Sequence, residues 1–187
     1  MNKIFIISGT AGSGKGSVWA PMLKESDKYY IVKSCTTRDK RSNSKDENKY
    51  TFLSNEEFHK KINNNVFIEH EIVHDCHYGT LKSEIEQGVE SGKIVIMELD
   101  VNGALRLKNI YDNVVLVFVR PSNIEEAKER LWERKTENRK AVELRISRYD
   151  MELIKSERFD HIIINDTLER AQEDLIKIID KENNVTQ

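Results

Sequence analysis

The 187-residue chain is poor in the residues that staple or punctuate a backbone: two cysteines, Cys35 and Cys76, and two prolines, Pro21 and Pro121. Two thiols are too few for a disulfide framework and suit a reducing compartment. Long apolar runs are missing. The first such run, Ile4-Phe5-Ile6-Ile7, falls far short of a signal-peptide core or of the roughly 20 residues a membrane helix needs. Net charge is missing as well, with 30 Lys+Arg against 32 Asp+Glu and a formal charge of −2. A dedicated nucleic-acid binder would carry a basic excess. The expectation is a cytoplasmic protein that binds neither membrane nor nucleic acid. Repeats, low-complexity tracts and linkers are absent too, and at roughly 150 residues per domain the length implies a single domain.

The chain does have enough apolar residues, 38%, for a full core under a skin that is rich in charge, 33% of residues. Strands are expected at residues 3–8, 30–33, 66–73, 94–99, 114–119 and 161–164. Several of these are continuous β-branched runs, the pattern of strands covered on both faces. Helices are expected at 16–25, 101–109, 124–135, 141–156 and 168–181. Another should start at the capping box Ser54-Asn55-Glu56-Glu57, with Phe58 and Ile62 on one face. Residues 36–49 hold no apolar side chain and read as a loop. Strand–helix alternation of this kind implies right-handed crossovers and a three-layer α/β fold with a parallel sheet.

The most informative stretch is Gly9-Thr10-Ala11-Gly12-Ser13-Gly14-Lys15-Gly16-Ser17, directly after the first strand and before the first helix. It contains G-x-x-x-x-G-K, with the usual hydroxyl displaced by one position to Ser17. Glycines let backbone N–H groups turn inward, the helix start adds positive potential, and Lys15 supplies a point charge for β- and γ-phosphates. Ser17 is placed to reach Mg²⁺ or a phosphate oxygen. Downstream, Arg38 and Arg41 stand three apart in a polar loop, suited to a bidentate grip on a second phosphate. A tyrosine hydroxyl can join that grip, and a glutamate at a strand end can accept from the N–H edge of a base. The pattern is that of a two-site protein, with one site for a triphosphate and one for a monophosphate acceptor.

These pieces resemble the guanylate kinase family nearly end to end. The matching elements are the glycine-rich loop, Ser34-Cys35-Thr36-Thr37-Arg38 with Arg41, Tyr50-Thr51-Phe52, Phe67-Ile68-Glu69, His77-Tyr78-Gly79-Thr80 and Glu98-Leu99-Asp100-Val101-Asn102-Gly103. Arg130, Arg134, Arg145 and Ile164-Asn165-Asp166 complete the set. The resemblance implies a P-loop kinase fold with a core at about 1–33, 82–124 and 150–187, a GMP-binding segment at about 34–81 and a helical lid at about 125–149. It implies Mg²⁺-dependent phosphorylation of GMP by ATP, by a monomer or homodimer. Ser34, Glu69 and Thr80 become guanine readers, assisted by Asp100, while Arg38, Arg41, Tyr50 and Tyr78 hold the GMP phosphate and Gly79 belongs to the GMP site. The ATP site comprises Gly9 through Ser17 with Arg130, Arg134 and Asn165, the last toward adenine. Lys15, Arg38, Arg134 and Arg145 form the catalytic set, and Ser17 and Glu98 the Mg²⁺ donors. The chain differs from the family's pattern at Thr10, at Asp75-Cys76-His77, at Asn102 and at Glu133 and Lys135 around the lid arginine, so it is a divergent member. An inactive binding module of the same fold, or a kinase for another purine monophosphate, are the alternatives.

His70-Glu71-Ile72-Val73-His74 reads literally as a zinc-protease H-E-x-x-H, but that motif needs a helix to bring its histidines to one face. Its β-branched setting predicts a strand instead. Cys35 is expected to be a packed thiol, and Trp19 and Trp132 to pack helices.

Overall fold

The structure, a computed structural model, describes residues 3–40, 49–73, 75–133 and 139–184. Its first strand, β1 (Ile4–Gly9), is buried along its whole length. Ile4 and Ile6 point into one apolar cluster and Phe5 and Ile7 into another. That two-sided burial is why the run is continuously apolar instead of alternating. β1 pairs in parallel with β7 (Ile94–Glu98) and β8 (Val114–Arg120); β2 (Tyr29–Ile31) joins β7 and β9 (His161–Ile164) joins β8, also in parallel. The order β2-β7-β1-β8-β9 leaves β1 at the centre.

One face of this sheet is covered by α3 (Lys82–Glu90) and α4 (Val101–Lys108), through Ile85, Val101, Ala104 and Leu107. The other carries α1 (Lys15–Val18), a 3₁₀ turn (Ala20–Lys24) and α8 (Leu168–Asn184), through Trp19, Met22, Ala171, Leu175 and Ile179. The expected three-layer α/β arrangement is therefore present.

A second sheet, order β4-β3-β6-β5, is built from β3 (Ser34–Thr36), β4 (Tyr50–Phe52), β5 (Phe67–Val73) and β6 (Cys76–Leu81). Its own core is small: Cys35, Phe58 and Phe67, with Phe58 supplied by α2 (Asn55–Asn63). The predicted capping box is formed, with Ser54 Oγ accepting from Glu57 N–H and the Glu57 carboxylate accepting from Ser54 N–H. Phe58 and Phe67 stack at 4.5 Å between ring centroids. Three more helices, α5 (Ile124–Glu133), α6 (Arg139–Ile146) and α7 (Tyr149–Lys155), precede β9.

Several expectations are corrected. The helix expected over 16–25 is a single turn, because Pro21 has no N–H to continue the ladder, and the chain tightens into the 3₁₀ turn. The helix expected over 141–156 is two helices separated by a turn at Ser147-Arg148. Helix α3 and strands β3, β4 and β6 were not anticipated; the three strands are short and partly polar, so their patterning is weak. The H-E-x-x-H stretch lies on β5 as expected, with His74 outside the described residues. Trp19 is buried at 2% exposure, whereas Trp132, expected to pack, is 47% exposed. Among the described residues, no helix is long and apolar enough to cross a membrane.

Since Phe58 is the one fully buried side chain of α2, Phe58→Ala should destabilise the protein by about 3–5 kcal/mol. Denaturant unfolding of the two proteins checks this. A change below about 1 kcal/mol would mean that the small sheet is held from elsewhere.

Candidate active site

β1 leaves the parallel sheet at its carboxyl edge and turns at once into the glycine-rich loop. Gly12 and Gly14 both have φ of +73°, a conformation costly to side chains with a Cβ, and each also lies against another part of the fold. A Cβ on Gly12 would stand 2.4 Å from the Ala127 carbonyl oxygen of α5, and one on Gly14 would stand 2.6 Å from Asn165 Nδ2. The loop is thus clamped from behind. Asn165, 4% exposed at the end of β9, donates from Nδ2 to the Ser13 carbonyl at 2.8 Å. Arg130 donates to the Asn165 carbonyl at 2.8 Å and pairs with Glu126 one helical turn away. Thr10 is fully buried and does not line the cleft in front of the loop.

That cleft has a volume of ≈ 350 Å³ and runs from the loop to the second sheet. Gly9 and Ala11 through Ser17 line one end, with Lys15 folded so that Nζ lies 3.4 Å from the Gly9 carbonyl. Ser34, Arg38, Tyr50, Glu69 and Tyr78 line the other, and Glu98, Asp100 and Arg145 also face it. Arg41 and Arg134 fall outside the described residues.

Strand register explains the second end. Ser34 on β3 lies opposite Thr80 on β6, and Thr80 lies opposite Glu69 on β5, so three side chains from three adjacent strands meet on one face. Ser34 and Thr80 hydroxyls are 3.4 Å apart, both buried. A bulge sets this meeting. Between Phe67 and Glu69 the ladder slips by one residue, with Phe67 opposite Leu81 but Glu69 opposite Thr80. In regular pleating, residues two apart share a face. The slip sends Phe67 to the α2 side and Glu69 to the cleft.

Gly79, between Tyr78, which lines the cleft, and Thr80, which is buried behind Ser34 and does not line it, points to the other face of the sheet. A Cβ there would come within 3.0 Å of both Phe58 and Phe67. It acts as packing space, not as a cleft residue. Cys35 shares that hidden side, and burial pushes its thiol up to about 11, consistent with a packed thiol. On the cleft side, the Tyr50 and Tyr78 rings meet edge-on at 6.0 Å, and the Arg38 guanidinium lies 5.7 Å from the Tyr50 ring.

Four acids enter the cleft. Burial pushes Glu69 up to about 7, with Asp100 adding to the rise and the Thr80 hydroxyl opposing it. Asp100 caps α4, accepting from Asn102 N–H at 2.8 Å and Gly103 N–H at 3.3 Å. A Cβ on Gly103 would be 3.2 Å from both the Asp100 and Glu69 carboxylates, so glycine leaves them room. Glu98 ends β7 and accepts from the Trp19 indole N–H at 2.8 Å. Glu152 on α7 accepts from the Ala11 N–H at 3.2 Å; burial raises its carboxyl and nearby Lys15 counteracts the rise.

Glu152 and Lys49 were not found by sequence reasoning. Glu152 stands seven residues after Arg145, on the same face had the helix been continuous, which was the only available signal. Lys49, whose Nζ donates to the Gly16 carbonyl at 2.7 Å, gave none beyond its place next to Tyr50.

Chemically, the cleft joins a glycine-rich loop and its lysine to a polar pocket with hydroxyls and a carboxylate. Glu98 and Ser17 are hard oxygen donors beside the loop, the class that Mg²⁺ takes together with nucleotide phosphates.

Comparison with known proteins agrees with this architecture. The protein is 37% identical over 180 residues to the guanylate kinase of Thermotoga maritima, covering 96% of this chain and 87% of that one. Identity to the guanylate kinase of Chlorobium luteolum is 38%, covering 96% and 91%. A crystal structure of guanylate kinase from Anaplasma phagocytophilum superposes with a TM-score of 0.78 at 26% identity, covering 97% of this chain and 86% of that one. Since the sequence model of the guanylate kinase family matches residues 1–182, almost the entire length, the chain belongs to that family.

Proposed function

We propose that the protein transfers the γ-phosphoryl group of ATP to GMP, giving ADP and GDP. The observation that carries this reading is that the phosphate loop and the side chains of Ser34 and Glu69, with Thr80 packed between them, share one cleft. Ser34 and Thr80 hydroxyls donate toward guanine O6, and the Glu69 carboxylate accepts from the ring N–H and the exocyclic amine, with Asp100 beside it. Arg38, Tyr50 and Tyr78 hold the acceptor phosphate, and Arg41 joins them.

The loop and Lys15 hold the β- and γ-phosphates. An oxygen of the GMP phosphate then attacks the γ-phosphorus as the bond to the β–γ bridging oxygen breaks. Alignment and charge neutralisation carry such a transfer, and no covalent intermediate is needed. Lys15, Arg145 and Arg134 neutralise the group in flight. Arg130 and Asn165 brace the loop, and the adenine lies toward Asn165. Mg²⁺ on the triphosphate supplies further charge neutralisation, with Glu98 and Ser17 as the residues that would hold it and its waters. Residues of about 34–81 act as the GMP-binding segment and about 125–149 as a lid that excludes water. The protein works in the cytoplasm as a monomer or homodimer.

ATP consumption measured with Mg²⁺ across GMP, dGMP, AMP, CMP and UMP should show selective GMP turnover. Preference for another acceptor would reassign the pocket, and no turnover from folded protein would favour a binding module. Lys15→Ala should lower kcat by at least about 10²-fold at unchanged melting temperature. Undiminished turnover would remove Lys15 from the mechanism.

Glu69 yields a pH prediction. Its ionised form accepts both guanine N–H groups, and its acid form does not. KM for GMP should therefore rise by up to about tenfold from pH 8 to pH 6. The phosphate of GMP also titrates near pH 6, so the informative quantity is the part of the rise that disappears in Glu69→Gln. Stability runs the opposite way: a raised carboxyl pKa favours the folded state when protonated, a contribution lost as pH rises through about 7. Without ligand, Glu69→Gln should gain thermal stability relative to the parent as pH rises from about 5 to about 7.5, and no further above that. Parallel pH profiles of the two melting temperatures would show that Glu69 is ionised throughout.

A further inference from the structure

Lys49 stands where the two ends of the cleft touch. Its own carbonyl accepts from the Ser34 N–H at 3.2 Å, and the next residue, Tyr50, belongs to the aromatic group around Arg38. Its side chain leaves the second sheet and crosses to the phosphate loop. There Nζ donates to the Gly16 carbonyl at 2.7 Å and lies 4.4 Å from the centre of the Trp19 ring. Trp19 in turn donates its indole N–H to Glu98.

The short first helix gives this contact its weight. The ladder of α1 runs out at Trp19 N–H to Lys15 C=O, 3.3 Å. Pro21 cannot donate to the Ser17 carbonyl, and Gln172 of α8 donates to it instead, at 3.0 Å. Lys49 does the same for the Gly16 carbonyl. The turn that follows Lys15 is thus held by two side chains from remote parts of the chain. Gly16 also explains the displaced hydroxyl of the loop motif: a Cβ there would sit 2.8 Å from Lys49 Nζ and 3.2 Å from the Glu98 carboxylate. Glycine makes the space into which the ammonium group fits.

We propose that Lys49 is a positioning residue that couples the acceptor site to the phosphate loop. The inference rests on the GMP and ATP sites proposed above. GMP engages Ser34 and Tyr50, which flank Lys49 through a hydrogen bond and a peptide bond, and so fixes the backbone from which the ammonium group reaches Gly16. With the ammonium in place, the Gly16-Ser17 turn is held and the Trp19 face is covered, which keeps the indole N–H on Glu98. Occupancy of the acceptor site therefore tightens nucleotide binding at the loop. By reciprocity, nucleotide at the loop tightens GMP binding by the same factor.

The test is calorimetric titration of the full chain with ADP and Mg²⁺, without and with saturating GMP. GMP should tighten ADP binding by about fivefold or more in the parent protein, within the usual range of site–site coupling. In Lys49→Met the factor should fall to below about twofold while each ligand still binds alone, and Lys49→Arg should restore most of it. A merely structural lysine would alter stability without changing the ratio. In a Trp132→Phe background only Trp19 emits, so GMP should change the fluorescence of that protein and do so less after Lys49→Met. Lys49→Gln serves as the uncharged variant should Lys49→Met not fold. A coupling factor equal in the parent and in the uncharged variant, or no coupling in the parent, would overturn the proposal. Failure of the parent to bind GMP at all would instead overturn the assigned acceptor site.

Discussion

The parallel pairing of β1 with β7 and β8 is the constraint on which the rest of the site depends. Parallel strands in register end at the same edge, so the loop after β1, the acids at and just beyond the end of β7 and the asparagine after β9 emerge together. Ligands of open α/β sheets bind at this carboxyl edge for that reason. The burial of Ile4, Phe5, Ile6 and Ile7 on both sides leaves the edge little freedom to shift. Close packing of Gly12 on α5 and of Gly14 on Asn165 then holds the loop in shape.

The second sheet is set by a different rule. Among the described residues its core is three buried apolar side chains, and its cleft-side face is polar, so hydrophobic patterning contributes little to its register. The register is carried instead by β6, which pairs with both β3 and β5. The slip at Ile68 serves two purposes at once. It gives Phe67 to the core and Glu69 to the cleft, although they stand only two residues apart. A regular strand could have satisfied only one of them.

Charge in the cleft is balanced locally. Glu152 accepts from the Ala11 N–H with the Lys15 charge nearby, Glu98 accepts from the Trp19 indole, and Asp100 accepts from the first amides of α4. Glu69 has weaker compensation, a hydroxyl and a more distant arginine against full burial, and it is the acid pushed furthest from its ordinary range. An under-compensated carboxylate beside hydroxyls is suited to accept donors from a ligand.

Local signals in the sequence determined much of this protein. The strands of the parallel sheet are legible because their two-sided burial leaves continuous apolar runs, and the phosphate loop because its glycines and lysine sit between such a strand and a helix start. The capping box of α2 is equally local. The order of motifs such as Ser34-Cys35-Thr36 and Phe67-Ile68-Glu69 resembles one family, which named residues for each role without stating how they meet. Tertiary structure decided the remainder: the single-turn α1 after Pro21, the break near Ser147, the opposite facing of Gly79 and the bulge that turns Glu69 inward. It also brought Lys49 and Glu152 to a loop that lies 33 and 141 residues away in sequence. Contacts across such separations depend on strand register and helix packing, and neither leaves a periodic trace in the chain itself.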